Sequence, residues 1–111
     1  MSLAVNKSAA FLADFSNQFA WYFSEAGEDL AWRFEDALDA TLTSLTRQPE
    51  IGRMQHFQNP LLQGLRSTPL ASPFGKLLVF YRVQGRVLEI VRLMHGARDL
   101  PRRLAEPPEI F

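Results

Sequence analysis

"KLLVFYRVQGRVLEIVRLM", residues 76 to 94, is the stretch that decides the fold. Residues 76 to 83 and 86 to 94 are both dense in Val, Ile, Leu, Phe and Tyr, side chains that pack well on a pleated surface, and each is too short for a typical helix. The "QG" between them supplies a tight turn, so the two runs predict a β-hairpin. Both runs are apolar on consecutive residues for part of their length, so these strands have two covered faces and lie centrally in a sheet. The second run ends abruptly in "VRLMHGARDL", residues 91 to 100, where His95, Gly96, Arg98 and Asp99 replace the apolar pattern. Asp99 is placed to cap a final helical turn through "LPRRLAE", which Pro107 and Pro108 end. In that reading His95, Arg98 and Asp99 fasten the end of the sheet.

Working back from the hairpin, "GLRSTPL" (64 to 70) predicts a further strand, and "IGRMQHFQNPLLQ" (51 to 63) lacks periodicity and reads as a loop broken by Gly52 and Pro60. Residues 9 to 26 carry a helical pattern. At about 100° per residue, Phe11, Leu12, Phe15, Phe19, Tyr22 and Phe23 fall within roughly 120° and form an apolar stripe. Gly27 stops this helix. A second helix is predicted from Glu28 to Arg47, with Leu30, Phe34, Leu38, Leu42 and Leu45 on one side, acids in its first turn, Arg47 at its end and Pro49 barring continuation. "LAVNK" (3 to 7) fits a short edge strand. The expected order is β-α-α-β-β-β: an α+β fold in which an N-terminal helical hairpin packs on one face of a small antiparallel sheet.

The 111 residues fit a single domain spanning residues 1 to 111. No run approaches the roughly 18 to 20 apolar residues of a spanning helix, and no secretory pattern opens the chain, so a cytoplasmic protein without membrane contact is expected. Cysteine is absent, and His56 and His95 are isolated. Disulfides, thiolate chemistry and zinc frameworks are thereby excluded, and neither metal nor cofactor is expected. The net charge of zero conceals a division: residues 1 to 50 hold three basic and eight acidic side chains, whereas the rest hold nine basic and four acidic. Such a division fits either an acidic and a basic part with different partners or ordinary solvated helix faces beside a mildly basic sheet.

The run "EDLAWRFEDALDATLTSLTRQPEIGR", the strand "GLRS", "LLVFYRV" and above all "RLMHGARDL" resemble, in this order, the RelE/ParE superfamily of toxins from type II toxin–antitoxin modules, and within it the ParE, or plasmid stabilisation protein, branch. The resemblance implies a compact toxin neutralised by a cognate, ParD-like antitoxin in a hetero-oligomer. It also implies one of two targets: DNA gyrase, bound as a protein, or mRNA, cleaved on the ribosome by RelE-like members. A third reading is a non-toxic interaction module on the same fold. Cleavage needs basic groups and a proton donor around one phosphate, for which Arg66 and His95 are the candidates. No tyrosine follows Tyr81, so that set is incomplete, and the near-neutral charge argues against direct nucleic-acid binding. A gyrase-binding toxin needs no catalytic residue, and Arg98, Arg102 and Arg103 are then the target-facing candidates. Trp21 and Trp32 are expected as one apolar patch on the acidic helices, contacted by the antitoxin or by a second toxin copy, and Phe57, Leu61, Leu62 and Phe74 as a groove for an amphipathic helix of the antitoxin.

Overall fold

A computed structural model describes residues 2–96 and 100–108. Its elements are β1 (Ala4–Lys7), α1 (Ala9–Ala26), α2 (Glu28–Arg47), β2 (Arg53–Met54), β3 (Arg66–Pro69), β4 (Leu77–Gln84), β5 (Val87–His95) and α3 (Leu100–Ala105). The helix bounds fall where the breakers place them. Gly27 holds φ at 94°, a conformation glycine adopts without strain, and its N–H caps α1 on the Phe23 carbonyl.

The strands form one sheet in the order β1-β5-β4-β3-β2. It corrects the expected antiparallel sheet in two respects. β1 runs parallel to β5, with Ala4 opposite Val87 and Lys7 opposite Ile90. The segment expected as loop also contributes a strand, since Arg53 and Met54 pair with Ser67 and Arg66. The turn of the central hairpin falls one residue later than "QG", on Gly85 and Arg86, because Gln84 pairs with Val87.

The helical hairpin covers one face of the sheet. Phe11, Phe34, Leu38, Leu42 and Leu45 meet Leu77, Val79, Tyr81, Leu88, Ile90 and Leu93 in the larger core. On the opposite face Phe80 and Met94 are sealed by Leu62, Leu65 and Leu104, from the segment before β3 and from α3. The two covered faces explain why the β4 and β5 runs lack strict alternation.

A bulge reconciles this layering with a charge in the middle of β5. Phe80 pairs with Arg92 but Tyr81 pairs with Ile90, so Val91 has no partner on β4. Strict alternation from Leu88 and Ile90 would put Arg92 beneath the helices. The extra residue instead hands the helix-facing position to Leu93 and turns Arg92 to the other side.

Candidate functional site: the open edge of the last strand

β1 ends opposite Ile90, so among the described residues the rest of β5 forms a sheet edge without a neighbouring strand. Side chains of α1 attend to this edge. Ser8 caps α1 by accepting the Phe11 N–H at 2.9 Å, and its hydroxyl donates to the Val91 carbonyl at 2.7 Å. Six residues on, Asp14 accepts the Leu93 N–H at 3.0 Å, replacing the carbonyl a further strand residue would have offered.

Asp14 also holds Arg92 in a forked ion pair, with Nε to Oδ2 at 2.7 Å and Nη2 to Oδ1 at 2.9 Å, and both side chains are largely shielded from solvent. The remaining guanidinium nitrogen donates to the carbonyls of Arg103 at 3.3 Å and Glu106 at 2.7 Å. One side chain thereby ties the helical layer, the sheet and the end of α3 together. Its donors are matched by a carboxylate and backbone carbonyls, the condition under which a buried guanidinium is tolerated.

Beyond this tie lies a groove of about 540 Å³. Its walls are Asn17, Gln18, Trp21 and Tyr22 of α1, Leu93, Met94 and His95 of β5, and Arg103, Glu106, Pro107 and Pro108 at the C-terminal end. Trp21 stands edge-on to Tyr22, ring centroids 5.4 Å apart. Burial pushes the Tyr22 hydroxyl above its ordinary pKa, opposed in part by a hydrogen bond with Gln18. The groove joins aromatic faces, an exposed imidazole and an arginine without any group of three potential metal ligands among the described residues.

The candidate residues do not gather at one place. Arg66 pairs with Tyr81, which lies level with Ile90, whereas His95 lies level with Leu77. Four residues along the strands at about 3.3 Å each, and two strand spacings of about 4.8 Å, place Arg66 and His95 roughly 16 Å apart. Arg66 is also engaged elsewhere, donating to the Gly52 carbonyl at 2.9 Å and the Glu50 carbonyl at 3.3 Å. Beside it the Tyr81 hydroxyl accepts the Gly52 N–H at 2.9 Å and donates to the Pro49 carbonyl at 2.7 Å. Arg66 and Tyr81 together clamp the turn that follows α2. Burial raises the Tyr81 pKa; its hydrogen bond with Gly52 and the Arg66 charge offset this in part.

Arg102 is exposed and pairs with Glu106 at 3.4 Å, Arg103 lines the groove, and Arg98 lies outside the described residues, as does Asp99. The two tryptophans are on opposite flanks of α1, correcting the expected single patch: Trp21 lines the groove, while Trp32 packs on Phe19 at 5.2 Å. The expected groove of Phe57, Leu61, Leu62 and Phe74 is also corrected. Phe74 is buried against Tyr22 and Phe34 under the helices, Leu62 is buried on the opposite face with Phe57 packed beside it, and Leu61 alone is open, at 75% exposure. Arg92 and Asp14 went unread in the sequence. Their signal was a charge set among apolar neighbours on each element.

The sequence model of the family described as "ParE toxin of type II toxin-antitoxin system, parDE" matches residues 5–100. No curated protein matches the chain. Among solved structures, one described as the chromosomal ParDE TA system from P. aeruginosa is similar, with a TM-score of 0.69 and 17% identity, covering 86% of this chain and 98% of that one. At that identity the likeness shows a shared fold, helical hairpin and sheet alike.

Proposed function

Because the chain belongs to the ParE toxin family of type II toxin–antitoxin systems, we propose that it acts in the cytoplasm by binding DNA gyrase and is neutralised by a cognate, ParD-like antitoxin. The observation that carries this reading is the separation of Arg66 from His95, about 16 Å by strand geometry. Measured between backbone positions, that distance leaves one phosphate within reach of both only if the two side chains extend toward each other. Arg66 also turns its Nη1 to the carbonyls of Glu50 and Gly52.

The surface at the C-terminal end supports binding of a macromolecule. Arg102 and Arg103 stand on α3 beside the groove that Trp21, Tyr22 and His95 line. Arginine next to aromatic faces is the composition of interface hot spots. Arg98 joins this surface in the proposal on its sequence position alone.

The test is supercoiling by purified gyrase in the presence of the protein. Inhibition or trapped DNA breaks are expected, weakened about tenfold when Arg102→Ala and Arg103→Ala are combined, the size of a lost interface hot spot. Full inhibition by that double variant would remove α3 from the target-facing surface. No inhibition by the native chain would refute gyrase as the target.

A further inference from the structure

We propose that the outer seam of the helical hairpin is a docking surface for a basic amphipathic helix of a partner protein. The groove beside β5 lies on one flank of α1, and this surface lies on the other.

On α1, Leu12, Phe19 and Phe23 recur at i, i+7 and i+11 and so share one stripe. On α2, Glu28, Trp32, Glu35 and Asp39 recur at i, i+4, i+7 and i+11 and share another. The Phe19 and Trp32 rings meet at 5.2 Å, and Phe19 lies 6.3 Å from Phe23, so the two stripes face each other across the seam.

The apolar side of the seam is left open. Leu12 is 48% exposed, Phe23 48% and Trp32 54%. Scattered apolar residues are normal on a protein surface, but these form a line along two packed helices. A third helix laid in that line completes a bundle, its own apolar stripe covering Leu12, Phe23 and Trp32.

Charge selects the occupant. Glu28, Glu35 and Asp39 border the line from α2, and Asp29 and Asp36 extend the acidic surface, with Arg33 the one basic side chain among the first twelve residues of that helix. A helix with lysine or arginine flanking its apolar stripe is attracted; an acidic helix is repelled. A second copy of this chain would bring the same acidic row against itself, which disfavours a symmetric pair through this face. The inference does not depend on gyrase being the target.

The test uses the full chain with Trp21→Phe, leaving Trp32 as the sole indole of the two in the sequence. Two synthetic helical peptides serve as probes, one of leucine and lysine with a single apolar stripe, the other with glutamate in place of lysine. The expected result is a blue shift of Trp32 emission with the lysine peptide alone. Affinity should fall about tenfold on Phe23→Ser and should weaken with salt. Glu35→Lys with Asp39→Lys should reverse the preference between peptides, while circular dichroism shows an unchanged fold. Lysine-peptide binding that survives Phe23→Ser, no binding of either peptide, or self-association abolished by Phe23→Ser would each overturn the proposal. Gyrase inhibition should be unaltered by Phe23→Ser, which separates this result from that of the target assay.

Discussion

Arg92 shows how a single charge is accommodated inside a sheet. Its ion pair with Asp14 is shielded on both sides, so removing one partner strands the other. Arg92→Met is expected to destabilise the fold by about 3 to 5 kcal/mol in urea unfolding. Pairing it with Asp14→Asn should cost less than the sum of the two single changes, since the two side chains form one network. Tyr81 is a second such residue. Tyr81→Phe keeps the ring but leaves the Gly52 N–H and Pro49 carbonyl without their partner, a loss of about 1 to 3 kcal/mol. Tyr22 and Tyr81 both titrate above the ordinary 10.0 when folded, chiefly through burial. The folded state therefore holds protons more tightly than the unfolded one, and stability should fall as pH rises through and beyond 10. Alkaline melting curves will show this, with a shallower decline for Tyr81→Phe. Neither role was legible in the sequence. An arginine in an apolar strand points nowhere until the bulge at Val91 decides its face, and the tyrosine's partners lie about thirty residues away.

Among the elements, the helices were legible because local chemistry bounds them: Gly27 between them, acids opening α2 and Pro49 after it. β4 and β5 were legible for the same kind of reason, dense β-formers around a turn. The parallel pairing of β1 was not, because an exposed strand of four residues carries no sign of its partner. Ser8 is the joint that makes that pairing work, starting α1 and holding the edge of β5 at once. Ser8→Ala should cost about 1 kcal/mol and speed hydrogen exchange in the first turn of α1. The tight approach of the turn after α2 to the sheet has its own test. A Cβ at Gly52 would run into the Tyr81 ring and hydroxyl, so Gly52→Ala must displace that clamp and lower the melting temperature.

At the scale of the molecule, the α+β class and the order of elements could be read from the chain, and so could the family. The assembly of the candidate site could not. Residues grouped by motif, Arg66 with His95 and Trp21 with Trp32, are set apart by strand register and by the two flanks of α1. What the fold does bring together is an open strand edge, a groove with aromatic walls and a basic terminal helix, all suited to partners. A cognate antitoxin that engages the folded toxin should raise its melting temperature in proportion to the logarithm of antitoxin concentration once binding is saturated. The most direct measurement sets purified gyrase beside a translating extract, each given the native chain, Arg66→Ala and His95→Ala. Gyrase inhibited by the native chain and by Arg66→Ala, with mRNA intact throughout, is the predicted result; mRNA cleaved by the native chain and spared by either variant would contradict it.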